Sequence, residues 1–112
     1  MNSIRNKVIL IGNLGSDPEV KSIENDKKLA RFSLATNEML KNKLGEKVTE
    51  TTWHTVIAWG KLAELSERFL KKGSEIAVEG KLVNNNWTDK EGKKRYSTEI
   101  HITDLLLLGG KV

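Results

Sequence analysis

Thr51-Thr52-Trp53-His54-Thr55-Val56-Ile57-Ala58-Trp59-Gly60-Lys61-Leu62-Ala63-Glu64-Leu65-Ser66-Glu67-Arg68-Phe69-Leu70-Lys71-Lys72-Gly73 changes its period halfway along. Its first nine residues, 51–59, are rich in β-branched and aromatic types, which favour an extended chain whose side chains alternate between two faces. Beyond Gly60, the positions of Leu62, Leu65 and Phe69 fall on one helical stripe, widened by Ala63 and Leu70. Gly73, just after the basic pair Lys71-Lys72, supplies a stop. A strand followed at once by a single short helix is therefore predicted.

Strand signals lie on both sides. Val8-Ile9-Leu10-Ile11 is a continuous aliphatic run closed by the turn-forming Gly12-Asn13-Leu14-Gly15-Ser16-Asp17-Pro18. Residues 29–36 alternate, with Ala30, Phe32 and Leu34 on one face and Arg31 and Ser33 on the other. Residues 41–50 are polar, contain Gly45 and lack a usable period, so they read as an exposed loop. After the helix, Ile76, Val78 and Leu82 alternate with Glu75, Glu79 and Lys81, and Tyr96, Ile100 and Ile102 with Glu99, His101 and Thr103. Between these two strands, residues 84–95 read as a polar hairpin tip carrying Trp87. An all-β chain of five strands, with one short helix between the third and fourth, follows the order of the OB-fold, a partly open Greek-key barrel that binds oligonucleotides.

Length and composition agree with a single domain over residues 1–112. A chain of 112 residues buries roughly two-thirds of its unfolded surface in one core. At 38% hydrophobic and 30% charged, it has the composition of an ordinary globular domain. Its longest apolar run, Leu105-Leu106-Leu107-Leu108, is far below the ~20 residues of a membrane span. The charged start, Met1 to Lys7, leads into too short an apolar stretch for a signal peptide, so a cytoplasmic protein is expected. Without cysteine there are no disulfides, thiolate ligands or cysteine nucleophiles. Nineteen Lys and Arg against fifteen Asp and Glu give +4, a modest basic bias whose meaning depends on position.

Trp53 and Trp59 share one strand face with Thr55 and Ile57, opposite His54, Val56 and Ala58. Either face could be the interior: indoles bury large apolar areas, yet Val56 and Ala58 also suit a core. Trp87 follows three asparagines without apolar neighbours, and Lys90, Lys93, Lys94 and Arg95 beside it suggest stacking next to phosphates rather than packing back on the barrel. Gly12, Gly15 and Gly60-Lys61 lack the spacing of a phosphate loop and read as turn residues. His54 and His101 lack metal-ligand spacing, no serine sits in a nucleophile elbow, and the acids are interleaved with lysines. No catalytic residue, metal or cofactor is expected, and an enzyme is disfavoured.

Asn6-Lys7-Val8-Ile9-Leu10-Ile11-Gly12-Asn13-Leu14-Gly15-Ser16-Asp17-Pro18-Glu19-Val20 resembles the opening of bacterial single-stranded DNA-binding proteins. Leu34-Ala35-Thr36, Thr52-Trp53-His54, Gly60-Lys61-Leu62-Ala63-Glu64, Lys72-Gly73-Ser74, Val78-Glu79-Gly80, and Trp87-Thr88-Asp89 through Tyr96-Ser97-Thr98-Glu99 extend the likeness in order and spacing over nearly the whole chain. The resemblance implies a homotetramer of OB-folds that wraps single-stranded DNA on its outer surface during replication, repair and recombination. It implies base stacking on Trp53, Trp59 and Trp87, and phosphate contacts from Lys7, Lys21, Lys61, Lys71 and Lys72, to which the hairpin adds Lys93 and Arg95. It places His54 at a subunit contact, where the apolar strand containing Val8 and Leu10 is also expected.

The chain departs from that pattern in three places. Leu40 stands where many relatives carry a further stacking aromatic, and Val83-Asn84-Asn85-Asn86 replaces a basic stretch. The sequence closes at Gly109-Gly110-Lys111-Val112 without the acidic tail through which the family recruits replication proteins, so such recruitment is in doubt. The competing reading from another class is an OB-fold adaptor between proteins, for which DNA would leave tryptophan emission unchanged.

Overall fold

A continuous apolar run must still turn alternate side chains to opposite sides, and Val8 to Ile11 in β1 (Val8–Leu14) does so. Val8 and Leu10 pack against the core, while Ile9 and Ile11 face outward, 64% and 57% exposed. The computed structural model describes residues 3–23 and 27–109. The closing Gly110-Lys111-Val112, which carried the expectation of a missing tail, lies outside the described residues.

Five further strands and one helix follow: β2 (Glu19–Ile23), β3 (Lys27–Lys41), β4 (Lys47–Trp59), α1 (Lys61–Phe69), β5 (Glu75–Thr88) and β6 (Lys94–Leu108). β1 pairs antiparallel with β5, β5 with β6, and β4 with β3, while β6 runs parallel to β4. A two-residue seam, Asn13 opposite Ala35 and Leu14 opposite Leu34, returns β3 to β1. Five strands thus close a barrel, and β2 pairs along the outside of β3. The all-β barrel with one helix is the expected architecture, since α1 lies between the third and fourth strands of the barrel. Inward residues of every barrel strand meet in one cluster, including Leu14, Phe32, Leu34, Val56, Ile76, Val78 and Ile100.

Several details differ from the sequence reading. β2 is a short strand whose Glu19 and Lys21 form an exposed polar side, and it presents little hydrophobic pattern. The expected loop at 41–50 is the end of a long hairpin: β3 continues to Lys41, β4 begins at Lys47, and Leu40 pairs with Val48. Asn42 makes its turn, its Oδ1 accepting the N–H groups of Leu44 and Glu46 at 2.9 and 3.0 Å. Trp87 likewise stands on β5 opposite Arg95, and the tip is confined to residues 89–93. Finally, α1 buries Ala63 and Ser66 and leaves Leu65 and Phe69 exposed. Small residues let the helix approach the barrel, and Ser66 tolerates burial because its hydroxyl donates to the Leu62 carbonyl at 2.8 Å.

Gly12 is not a turn residue but a buried position within β1. A Cβ there would collide with the carbonyl oxygen of Ala35 and lie 2.9 Å from its carbonyl carbon. Close backbone approach at the seam is what requires glycine.

Candidate nucleic-acid interface

Alternation along β4 settles which face is inside. Val56 and Ala58 enter the core, so Trp53, Thr55, Ile57 and Trp59 project outward. Residues directly opposite one another in a sheet share a face, so register extends this surface sideways. Toward β3 and β2, Trp59 lies opposite Leu29, which lies opposite Lys21, and Ile57 opposite Arg31, which lies opposite Glu19. Toward β6, Ile57 pairs with His101 and Thr55 with Glu99. On β5, Lys81 stands opposite His101, Asn85 opposite Ser97, and Trp87 opposite Arg95.

A single outward face therefore runs from β2 to the β5–β6 hairpin and carries all three tryptophans. Their exposures are 61% for Trp53, 45% for Trp59 and 47% for Trp87, unusually high for indoles in a small domain. At its centre is a groove lined by Lys21, Arg31, Ile57, Trp59, Asn85 and His101. Lys21, Arg31, Lys81 and Arg95 outnumber Glu19 and Glu99 on this face and give it a net positive charge.

Each indole is held differently. The Trp53 ring lies over Gly15, where an added Cβ would come within 2.7 Å of its Cη2 atom. The Trp59 indole N–H donates to His101 Nδ1 at 3.3 Å, with ring centroids 6.3 Å apart. Trp87 sits beside an ordered tip in which Asp89 accepts the N–H groups of Glu91 and Lys93 and the Nε–H of Arg95, each at 2.9 Å. The hydrogen bond from Lys93, and then that from Arg95, hold the Asp89 carboxyl below its usual pKa. The tip consequently keeps Arg95 next to Trp87.

Of the basic residues expected at the site, Lys21, Lys93 and Arg95 join the tryptophans. Lys72 follows α1, its backbone N–H donating to Asp17 Oδ1 at 2.8 Å, close to the turn that seats Trp53. Lys61 and Lys71 lie on the helix side, Lys61 in a groove with Lys28 and Arg68, and Lys71 beside Asp17 and Pro18. Lys28 there has its pKa raised by the hydrogen bond and charge of Glu67, 2.7 Å away. Lys7 pairs with Glu79 at 3.5 Å, on the β1–β5 side of the barrel and away from the groove.

The residues expected at a subunit contact are also redistributed. Val8 and Leu10 are committed to the barrel's own core, because alternation points them inward. His54 is half-buried on the inward side of β4, its Nε2 3.0 Å from Thr36 Oγ1. Among the described residues, no group of three His, Asp or Glu could hold a metal ion. Leu40 faces away from the tryptophans, since it has the parity of Phe32 and Leu34.

Arg31, Lys81, Asn85 and His101 belong to the face but were not singled out by sequence reasoning. Their signal was outward parity in alternating strands. Joining them into one surface requires knowing which strands are neighbours.

A family model described as the single-strand binding protein family matches residues 5–108. The chain is 49% identical over 107 residues to single-stranded DNA-binding protein 1 of Xylella fastidiosa, covering 95% of this chain and 79% of that protein. It is 45% identical over 107 residues to single-stranded DNA-binding protein 1 of Chlorobaculum tepidum, covering 95% of this chain and 66% of that protein. Among solved structures, the Plasmodium falciparum SSB complex with ssDNA matches with a TM-score of 0.85 and 32% identity, covering 92% of this chain and 94% of that one.

Proposed function

This chain belongs to the single-strand binding protein family, and from that premise we propose that it coats single-stranded DNA without sequence preference and protects it during replication, repair and recombination. The observation that carries the reading is the one outward face on which Trp53, Trp59 and Trp87 all stand, 61%, 45% and 47% exposed. Every base has a π-face, so stacking on an indole binds without reading sequence, while Lys21, Arg31, Lys81 and Arg95 attract the phosphates between bases. The work is binding rather than catalysis.

Titration with a thymidine homopolymer tests this directly. Stacking quenches tryptophan emission, and affinity falls with salt at a log–log slope of about −0.7 per phosphate neutralised. Unchanged emission, or a binding constant flat between low and physiological salt, would point to a protein adaptor instead.

The same reading includes a homotetramer. What supports it is an apolar row across three strands, Ile11 opposite Ala77 and Ala77 opposite Leu106, with Ile9 beside it. Leu106 is 61% exposed, and such a patch needs cover. The subunit contact is accordingly assigned to Ile9, Ile11 and Leu106 rather than to Val8 and Leu10. Sedimentation at micromolar concentration should show four copies together, and Ile11→Lys should dissociate them while the barrel stays folded; a monomeric parent contradicts the assignment. Among the described residues no helix is long and apolar enough to cross a membrane, and the proposed site of action is nucleoid DNA in the cytoplasm.

A further inference from the structure

Trp59 is the one tryptophan whose indole N–H is bonded among the described residues, and its acceptor is itself held. His101 Nδ1 lies 3.3 Å from Trp59 Nε1, and His101 Nε2 lies 3.1 Å from Glu99 Oε1. A neutral imidazole has one N–H and one acceptor nitrogen. Because Trp59 can only donate, Nδ1 must be the acceptor, so the proton stands on Nε2 and is donated to the Glu99 carboxylate. Glu99 is 7% exposed and fixed in the sheet, so it determines both the tautomer and the ring plane of His101.

We propose that His101, oriented by Glu99, is a positioning residue that holds the Trp59 ring ready for a DNA base. This rests on the stacking role given to Trp59 above. An indole 45% exposed has few packing neighbours to fix its rotamer, so the bond at its N–H edge limits its swing. Holding the ring in advance removes ordering that binding would otherwise require. The arrangement works only with neutral His101: a proton on Nδ1 leaves the indole N–H facing another donor. Charged groups facing His101 are Glu99 on its own strand, Lys81 on β5, Glu19 and Lys21 on β2, and Arg31 on β3, while β4 presents only Thr55, Ile57 and Trp59.

The test is a double-mutant cycle, read as affinity for a thymidine homopolymer. His101→Val removes the acceptor and should weaken binding roughly two- to tenfold, the range of one hydrogen bond's net worth. His101→Asn, whose carbonyl oxygen stands near the position of Nδ1, should restore parental affinity. In a Trp59→Phe background, His101→Val should change nothing. In parallel, the indole N–H resonance assigned to Trp59 should shift in His101→Val and return toward its parental position in His101→Asn. Equal losses from His101→Val in both backgrounds, or none in either, would overturn the proposal, as would a Trp59 resonance unmoved by His101→Val. If Trp59→Ala binds like the parent, it is the stacking role of Trp59 that fails and the positioning role goes with it.

Discussion

Gly12→Ala should cost the barrel about 3 kcal/mol or more, a large part of its stability. Gly12 lies inside β1, opposite Ile76, and crosses β3 next to the seam at Asn13 and Leu14. Its added methyl would collide with the Ala35 carbonyl group, whose carbon would be 2.9 Å away. That obstacle is backbone, so no rotamer change relieves it, and only two residue pairs join β1 to β3. Overpacking typically costs about 1–3 kcal/mol, and at an inflexible seam the loss should be about 3 kcal/mol or more. A domain of this size has a total stability of only about 5–15 kcal/mol. Urea unfolding followed by tryptophan emission measures the loss. Gly15→Ala is the contrast, because its methyl meets the Trp53 ring, a side chain able to swing away at small cost in stability. A Gly12→Ala midpoint close to that of the parent would mean that the seam is not as tight as described.

Legibility in the sequence followed burial. Where one strand face is in the core, alternation identified it: Ala30, Phe32 and Leu34, or Ile76 and Val78, are inside as their spacing required. The same rule failed where no core lies beneath. Residues 37–41 and 47–51 are exposed on both faces, so their pairing in a long hairpin has no hydrophobic signature and is held by backbone bonds and the Asn42 turn. The helix face was read correctly in part, but the large Leu65 and Phe69 were favoured over the small Ser66. The barrel receives Leu62, Ala63 and Leu70 of the predicted stripe together with Ser66, while Leu65 and Phe69 stay outside.

The site divides in the same way. Trp53 and Trp59 could be placed on one face from spacing alone, although spacing left open which face of β4 was the interior, whereas Trp87 joins them only through strand pairing. The cations could not be placed without topology. Arg31 becomes a neighbour of Ile57, and Lys81 of His101, only through the registers of the β3–β4 and β5–β6 pairs. Lys7, drawn in by resemblance, proves to be engaged with Glu79 on another side of the barrel. The bond from Trp59 to His101 links positions 42 residues apart, beyond the reach of any periodicity.

Trp87→Ala should weaken binding roughly five- to a hundredfold, the loss of one stacked base at about 1–3 kcal/mol, without lowering thermal stability. Trp87 is 47% exposed on an arm that runs past the barrel, and it belongs to no part of the core cluster. Its cross-strand neighbour is Arg95, which Asp89 holds at 2.9 Å, so the arm should keep its shape and its charge when the indole is removed. Trp53→Ala and Trp59→Ala are less clean, because the first vacates the seat over Gly15 and the second releases His101. Leu40→Ala is the matched control: it removes an apolar side chain from the other long hairpin, but from the face turned away from the tryptophans, so affinity should change little. Fluorescence titration with a thymidine homopolymer and a thermal melt of the same samples separate binding from folding. A Trp87→Ala protein that binds like the parent would remove the β5–β6 hairpin from the DNA path, and one that melts well below the parent would make Trp87 a packing residue.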